Sequence, residues 1–303
     1  MPRAASLSTE PRVWADVCAA IAAATGASFK IEMRAAVAGG SINQCYRIAG
    51  SGRIFFVKLN SSCNRSIFEG EAAGLAALAA TATIRVPSVI CLGTTDDCAW
   101  LVLEHIEFVE PAALGMTRLG ERLAALHRNA DDRFGWVSDN TLGATPQPNS
   151  RTADWPSFWR KQRLGHQLTL AADNAAPKPL LDKGARLADG LDVFFATCDV
   201  KPALLHGDLW GRNAGFDSSG SPVIFDPAVY YGDREADLAM TELFGGFSAA
   251  FYAAYRSAYP LDPGYVVRKQ LYNLYHVLNH FNLFGGSYAR QAETLIDRLL
   301  AEL

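Results

Sequence analysis

The spacing of apolar residues changes near residue 106, and this change constrains the fold more than any other feature of the sequence. Before it, short apolar runs separated by turn residues indicate β-strands. After it, apolar residues recur at three- and four-residue intervals, which predicts helices. The strands are expected at 37–48, 53–59, 89–93 and 99–103, and the helices at 114–127, 155–172, 183–197 and 265–281.

One more helix is expected among the strands, at 66–80, with Phe68, Leu75 and Leu78 on one face. Residues 134–155 are rich in Gly, Pro, Asn and Thr and are expected to form a long loop. The sequence therefore predicts an α+β, bilobal chain, with a small β-rich lobe and connector at 1–106 and a larger helical lobe at 107–303. Ligands favour the cleft between two such parts, so the active site is expected there.

Bulk composition excludes several classes of partner. The formal net charge of −3 gives no overall basic field for nucleic acid, and no run reaches the roughly 20 apolar residues that cross a membrane. The six cysteines form no C-x-x-C pair, and the alanine-rich run at 17–24 is too short for a secretory signal. We expect a cytoplasmic protein with reduced thiols, no nucleic-acid or membrane partner and, by default, a monomeric state.

The segment from His206 to Asn213 carries the strongest chemical signal. Asp208 and Asn213 are five positions apart, which is the spacing of the catalytic loop in kinases. In that loop the Asp accepts the proton of the substrate hydroxyl and the Asn binds a metal ion. His206 is expected to order the loop.

Asp226 is expected to complete a metal site with Asn213. Strand-like segments at 214–216 and 223–225 flank the turn residues 218–220. A hairpin centred midway between Asn213 and Asp226 places their side chains opposite each other at its open end. Two oxygen ligands there would suit Mg²⁺. The alternative is that Asp226 only precedes Pro227 in a turn.

A glycine-containing segment in the β-rich lobe is a weaker signal. Glycines between strands let backbone N–H groups approach phosphates, but no G-x-G-x-x-G pattern is present, so an ordinary tight turn remains an alternative. The candidate phosphate-binding residues are Gly39, Gly40, Ser41 and Asn43.

Lys58 lies in the apolar strand 54–59 and needs a partner, because an unpaired buried charge is costly. Glu71 shares the apolar face of the helix at 66–80, whereas Glu69 lies on its alanine-rich side. A strand Lys paired with a helix Glu is the arrangement that holds nucleotide phosphates in kinases. A purely structural ion pair is the alternative.

Four further polar residues are candidates for support or binding. Asp233 is expected to cap a helix, and Asp237 on that helix could brace the catalytic loop. His276 and His280 are four residues apart on a helix, but the H-E-x-x-H pattern of zinc sites is absent. Packing or a hydrogen bond to substrate is the expected role of these histidines.

The residues discussed so far lie within longer strings that resemble the fructosamine kinase, or ketosamine-3-kinase, family. The family belongs to the aminoglycoside-phosphotransferase-like branch of the protein-kinase-like fold. The resemblance extends over nearly the whole chain and is carried by 205–210, by 224–240 and by 39–43, 68–72, 145–149 and 155–164.

The resemblance implies phosphorylation of the sugar 3-hydroxyl of ketosamines, which form when amines become glycated. The 3-phosphate adduct is unstable, so the reaction removes the sugar from a protein or amino acid. The implied cosubstrate and metal are ATP and Mg²⁺. The resemblance assigns the base to Asp208, magnesium to Asn213 and Asp226, ATP phosphates to Lys58 and Glu71, adenine to the connector Glu104, His105 and Ile106, the sugar to Trp210, and the acceptor side to the loop with Asn140 and Gln147; His280 is a further acceptor candidate.

The sequence departs from the family pattern at three places. Ser41 replaces a cysteine that many relatives carry, which leaves redox control open, Gly211-Arg212 replaces Ser-Gly, and Leu283 replaces a histidine. The last two differences concern the acceptor pocket.

Two other functions remain open at this stage. The first is a kinase for another small hydroxyl compound, such as an aminoglycoside or amino alcohol; basic residues in the acceptor region disfavour the cationic aminoglycosides. These residues are Arg151, Arg160, Lys161 and Arg163. The second is an inactive nucleotide-binding regulator, which is disfavoured because the base, the metal ligands and the lysine are all present. The preferred sugar and the amine carrier, free amino acid or protein, also remain open.

Overall fold

The computed structural model describes residues 11–38 and 42–303. Its N-terminal region is a five-stranded antiparallel sheet in the order β1-β2-β3-β5-β4. A helix, α1, precedes the sheet, and a second helix, α2, follows β3 after a short 3₁₀ turn at Ser62–Asn64. The bounds are Pro11–Thr25 (α1), Met33–Val37 (β1), Gln44–Gly50 (β2), Arg53–Ser61 (β3), Arg65–Ala80 (α2), Val89–Thr94 (β4) and Cys98–Glu104 (β5).

The two faces of this sheet have different neighbours, because side chains alternate along a strand. Val57 and Leu59 of β3 pack with Val17 and Ile21 of α1 in one core cluster. Lys58 lies between them in sequence and therefore faces the opposite side, where α2 packs. This alternation places Lys58, whose neighbours in the strand are apolar, on the face of the sheet that α2 covers.

The remainder of the chain is mostly helical, with short strands between the helices. The strands are Phe108–Val109 (β6), Asn140–Leu142 (β7), Thr145–Gln147 (β8), Ala203–Leu205 (β9), Ala214–Asp217 (β10), Pro222–Ile224 (β11) and Tyr230–Gly232 (β12). The helices are Gly115–Leu126 (α3), Trp155–Phe158 (α4), His166–Asp173 (α5), Lys178–Asp189 (α6), Glu235–Leu243 (α7), Ala249–Ala258 (α8), Tyr265–Phe284 (α9) and Tyr288–Leu300 (α10).

A continuous apolar core joins the sheet to the helical part. Phe68 of α2 and Leu101 of β5 belong to the same buried cluster as Leu119 of α3, Ile224 of β11 and Phe251 of α8. The division of the chain at residue 106 stays a prediction, since this core extends across it.

Several sequence-based element assignments were wrong. The segment 37–48 is not one strand, because β1 ends at Val37 and β2 begins at Gln44. The helix expected at 183–197 begins earlier, at Lys178, with a proline in its first turn. It ends at Asp189 before Gly190, and a 3₁₀ turn follows at Leu191–Phe195. The expected loop 134–155 contains the hairpin β7–β8, and the helices α8 and α10 were not predicted.

The helix expected at 155–172 is present with a wider middle turn. The segment between α4 and α5, Trp159–Gly165, is a π-helix. Among the described helices, none is long and apolar enough to cross a membrane.

Candidate active site

A cavity of about 510 Å³ lies between the N-terminal sheet and the helical part, within the size range of small-molecule sites. Its wall includes the strand lysine, the helix glutamate, the connector after β5 and the catalytic-loop residues. The sequence-predicted residues that line it are Asn43, Lys58, Glu71, Glu104, His105, Ile106, Asn140, Asp208, Trp210, Asn213 and Asp226. Gly39, Gly40 and Ser41 lie outside the described residues.

Lys58 forms a buried ion pair with Glu71 and also contacts the carboxylate of Asp226. Its Nζ lies 2.7 Å from Glu71 Oε1 and also donates to Asp226 Oδ1. Burial disfavours the charged lysine, but the carboxylates of Glu71 and Asp226 outweigh it, so the pKa of Lys58 is raised. Lys58 is therefore a fixed positive charge in the cavity wall at neutral pH. Glu69 instead pairs with Arg65 on the surface of α2.

Close backbone contacts fix the position of α2. A Cβ on Gly74 would lie 3.2 Å from Val229 and 3.3 Å from Pro227, and one on Gly70 would lie 3.1 Å from the Asn140 side chain. Glycine at these positions lets the helix approach the chain that follows Asp226. Glu71, which α2 carries, is thereby held against Lys58.

The catalytic loop is anchored by a buried carboxylate, as the sequence suggests for Asp237. Asp237 accepts the backbone N–H groups of His206 (2.7 Å) and Gly207 (2.8 Å). Gly207 has φ of 83°, and a Cβ there would lie 2.0 Å from the Ala228 carbonyl oxygen. Glycine is thus required at this point of the loop.

His206 connects the loop to the strand that leads to Asp226. Its Nε2 lies 2.9 Å from the Phe225 carbonyl oxygen, which can only accept, so Nε2 carries the proton. Nδ1 then accepts the backbone N–H of Asp208 at 3.2 Å. Burial lowers the pKa of His206, which keeps the ring neutral. This geometry fits an ordering role.

Asp208 is half-buried, and its electrostatic surroundings suit a general base. The Asn213 amide donates to its backbone oxygen (2.9 Å) and to Oδ2 (3.2 Å). Burial, followed by the nearby carboxylate of Asp226, raises the pKa of Asp208 to about 7. A base whose pKa lies near the working pH is ionised in a large fraction of the molecules and is still basic enough to take the proton.

The hairpin register differs from the sequence-based prediction by one residue. Ala214 pairs with Ile224, and Asn213 accepts the N–H of Phe225 at 3.0 Å, so Asp226 is not opposite Asn213. The turn between the two strands is set by Asp217, whose Oδ1 accepts the N–H groups of Ser219 and Ser221. Asp226 follows the ladder with φ of 56°, an uncommon conformation for a non-glycine residue that is often found at functional sites.

The oxygen atoms of Asn213 and Asp226 are nevertheless suited to a magnesium ion. The Asn213 amide nitrogen lies 3.5 Å from the Asp226 backbone oxygen, so the two residues remain neighbours. Asn213 Oδ1 and Asp226 Oδ2 have no hydrogen-bond partner within the described part of the chain. A carboxylate and an amide oxygen beside open cavity are the donors that Mg²⁺ accepts alongside water and phosphate.

The connector after β5 offers free backbone N–H groups. The Glu104 carboxylate contacts Arg85 and the Ser88 N–H, and the Glu104 N–H is bonded to the Ser88 carbonyl oxygen at 2.8 Å. The His105 ring accepts from Arg47 at 3.4 Å. The backbone N–H groups of His105 and Ile106 have no partner among the described residues, which makes Ile106 a candidate donor to a nucleotide base.

The acceptor-side predictions divide into two groups. Trp210 lines the cavity and contacts Phe244 edge-to-face at 5.9 Å. Asn140 also lines it, but its amide is already bonded to the Val229 carbonyl oxygen (2.8 Å) and to Gln147. Asn140 thus holds the β7–β8 hairpin against the chain after Asp226.

Direct substrate contact was the wrong expectation for Gln147 and His280. Gln147 is fully buried and is bonded to Asn140, the Ala228 carbonyl oxygen and Tyr275. His280 lies behind Trp210, in contact with Phe244 at 4.8 Å, and its Nδ1–H donates to the His276 carbonyl oxygen. Neither residue forms part of the cavity wall.

Two supporting contacts complete the site. Asp233 precedes the cap residue Arg234, rather than capping α7 itself as expected, but its carboxylate accepts the Glu235 N–H (3.0 Å) and the Tyr272 hydroxyl (2.5 Å). Asn43 accepts from Asn60 at 2.7 Å.

No sequence pattern pointed to His127, which is buried and lies 3.1 Å from Asp237 Oδ2. The two residues are 110 positions apart, so only the tertiary fold brings them together.

Comparison with known proteins is consistent with this geometry. The family model described as fructosamine kinase matches residues 13–302. The chain belongs to the fructosamine kinase family. It is 48% identical over 291 residues to a Synechocystis protein named "Probable ketoamine kinase", covering 96% of this chain and 98% of that one. It is 42% identical over 288 residues to the chloroplastic protein-ribulosamine 3-kinase of Oryza sativa subsp. japonica, covering 92% and 82% of the two chains.

Solved structures establish the fold of this family member. A Haemophilus somnus 129PT structure, assigned provisionally as a fructosamine-3-kinase, is 31% identical with a TM-score of 0.88 and covers 95% of this chain and 97% of its own. The aminoglycoside phosphotransferase APH(4)-Ia, at 17% identity and a TM-score of 0.62 over 94% and 98% of the two chains, shares the fold alone. The α+β, bilobal protein-kinase-like fold expected from the sequence is confirmed.

Proposed function

We propose that this protein phosphorylates the sugar 3-hydroxyl of ketosamines, using ATP, in a deglycation step. The observation that carries the proposal is the position of Asp208, a carboxylate with a raised pKa, beside two oxygen ligands and Lys58 in one cavity. The relatives named ketoamine kinase and protein-ribulosamine 3-kinase support the choice of acceptor.

The residues of the site have distinct roles in this proposal. Asp208 accepts the proton of the sugar hydroxyl while the hydroxyl oxygen bonds to the γ-phosphorus of ATP. The bond between the γ-phosphorus and the β–γ bridging oxygen breaks, which releases ADP. Lys58 binds phosphate oxygens of ATP, and the Ile106 N–H donates a hydrogen bond to the adenine ring. Asn213 and Asp226 would hold Mg²⁺, which neutralises developing phosphate charge when it is bound.

Partners and location remain predictions. The acceptor is a small ketosamine or a glycated lysine on a protein. A cytoplasmic location is supported by the six cysteines, all of which are free thiols. We expect a monomer without nucleic-acid or membrane partners.

The proposal is tested by ADP release with Mg²⁺ on four acceptors: ribulosyl-lysine, fructosyl-lysine, an aminoglycoside and choline. We expect turnover on the ketosamines only, and the ratio of kcat/KM between the two sugars ranks them. Turnover on choline or the aminoglycoside alone would keep the kinase chemistry but reject the deglycation role. ATP binding without any turnover would favour the inactive regulator.

Replacing Trp210 with alanine should weaken acceptor binding more than nucleotide binding. The indole lines the cavity from the catalytic loop, where the proposal puts the acceptor, and the connector Glu104, His105 and Ile106 lines it from the end of strand β5. We expect the acceptor KM to rise about tenfold or more, in keeping with the loss of a large aromatic contact, while the ATP KM changes less. Initial rates over a grid of both substrates give the two constants. A rise confined to the ATP KM would contradict this position of Trp210.

A further inference from the structure

Arg212 is an exposed arginine in the cavity wall, and no acidic residue neutralises it within the described part of the chain. It lies in the loop between Asp208 and Asn213. Its guanidinium carbon is 5.5 Å from the centre of the Trp210 ring. An arginine stacked on an aromatic ring loses little freedom when its N–H groups bind a further partner. Arg212 is therefore a positive charge that is held near the Trp210 ring and has no ion-pair partner among the described residues.

The other basic residues that were expected on the acceptor side provide no charge in the cavity wall. Arg151 pairs with Asp131 and Asp132, and Arg160 lies 2.7 Å from Asp192. Arg163 is fully buried and donates to Asn149 at 2.7 Å. Neither these three arginines nor Lys161 line the cavity. The expectation that they shape the acceptor pocket was wrong.

The aromatic ring that Arg212 approaches is part of an uncharged cluster. Arg212 and Trp210 both line the cavity. Behind this wall Trp210 contacts Phe244, and Phe244 contacts His280. Burial lowers the pKa of His280, so the rings that support Trp210 carry no charge at neutral pH.

We propose that Arg212 selects acceptors that carry a carboxylate beside the sugar. The inference rests on the proposed ketosamine kinase activity and narrows its substrate class. A guanidinium beside a neutral aromatic wall recognises a carboxylate by two parallel N–H···O bonds. Two sources supply this chemistry: the carboxylate of a free glycated amino acid, or an acidic side chain next to a glycated lysine in a protein.

The test compares acceptors that differ only in charge. The first pair is N-ribulosyl-glycine and N-ribulosyl-glycinamide; the second is a ribulosyl-lysine peptide flanked by Glu and the same peptide flanked by Gln. For the wild-type protein we expect kcat/KM to favour the carboxylate member of at least one pair by about tenfold at low ionic strength. The preference should shrink as salt rises, because the guanidinium is exposed.

Variants then assign the preference to Arg212. In the acceptor pair that shows the preference, Arg212→Gln should bring the ratio of kcat/KM for the charged and neutral acceptors close to one. Arg212→Lys should retain part of the preference. Arg186→Gln is the matched control, since Arg186 is exposed on α6 and outside the cavity wall; it should leave the ratio unchanged.

The outcomes separate this inference from the proposed function. Discrimination in the glycine pair alone supports free amino acids as the source, and discrimination in the peptide pair alone supports proteins. Turnover of both members of each pair, with ratios that Arg212→Gln does not alter, overturns the role of Arg212 and leaves the kinase function intact. Equal losses on charged and neutral acceptors with a raised ATP KM would place Arg212 on the nucleotide and also overturn the inference. Absence of turnover on every ketosamine would reject the proposed function itself.

Discussion

Replacing Lys58 with methionine should both destabilise the protein and abolish most of its activity. The substitution leaves Glu71, only 8% exposed, without its cation. Removing one partner of a buried ion pair typically costs about 3–5 kcal/mol, and we expect the free energy of unfolding in urea at pH 8 to fall by that amount. The loss should be smaller at pH 5, where Glu71 can take up a proton. Since Lys58 also provides the fixed charge for phosphate oxygens, kcat/KM for ATP should fall by about 10²–10³.

A double variant distinguishes a nucleotide-binding role from a structural ion pair. Adding Glu71→Gln to Lys58→Met removes the uncompensated buried charge and should restore much of the lost stability. Activity should stay low, because no cation faces the phosphates. If the pair were structural only, activity would return together with stability.

The exposed pair on the same helix is the matched control. Arg65 and Glu69 lie 2.8 Å apart, with side chains 48% and 50% exposed. Such surface pairs contribute about 0.3–0.5 kcal/mol. Arg65→Gln and Glu69→Gln, alone or together, should therefore leave both stability and kcat/KM for ATP near the wild-type values.

The Lys58–Glu71 pair could be predicted from the sequence because each half depends on local periodicity. Alternation along β3 decides which face Lys58 shares, and helical spacing decides that Glu71, not Glu69, faces inward. These patterns fix direction without knowledge of the tertiary fold. The only remaining step was that a buried charge needs a partner.

The register of the β10–β11 hairpin could not be predicted in the same way. The spacing between Asn213 and Asp226 identifies a hairpin but does not decide whether its turn has an even or odd number of residues. The side chain of Asp217 decides this by accepting two backbone N–H groups within the turn. The resulting shift of one residue releases Asp226 from the ladder and allows it to reach Lys58.

Acceptor-side residues were the least predictable part of the site. Gln147 lies in a polar segment of the sequence, yet the fold buries it completely against Ala228 and Tyr275. His127, outside the acceptor side, is likewise inconspicuous in the sequence, and it becomes a partner of Asp237 only through the tertiary fold, across 110 positions. In both cases the residue is buried by contacts with residues that are distant in the chain. A local sequence pattern cannot predict such contacts.

Replacing Asp208 with asparagine should lower turnover about 10²–10⁴-fold, the usual contribution of a positioned acid or base. The wild-type kcat/KM should fall as pH decreases below about 7, because Asp208 has a pKa of about 7 and must be ionised to accept a proton. Initial rates between pH 5.5 and 8.5 measure this limb. A variant with near-wild-type turnover would remove Asp208 from the role of base.

The same substitution should make the protein more stable at pH 8, in contrast to Lys58→Met. A folded-state pKa of about 7, above the ordinary value of 3.8, means that ionising Asp208 costs stability as pH rises from about 4 to 7. Asparagine avoids this cost and can still accept from Asn213 through its amide oxygen, but the bond is weakened by about 1 kcal/mol because it is no longer made to a charged group. We therefore expect a net gain of about 1–3 kcal/mol at pH 8 and a smaller one at pH 5. Urea unfolding at both pH values, without nucleotide or metal, measures the difference.

Asp226→Asn is the control for this stability effect. Replacing Asp226 relieves its repulsion with Asp208 but also removes its ion pair with Lys58. The two effects oppose each other, so this variant should not stabilise the protein at pH 8. An equal gain at pH 5 and pH 8 for Asp208→Asn would show that the effect does not come from ionisation. A gain in the free energy of unfolding that grows with pH, together with lost turnover, would show that the ionised base Asp208 lowers the stability of the folded protein.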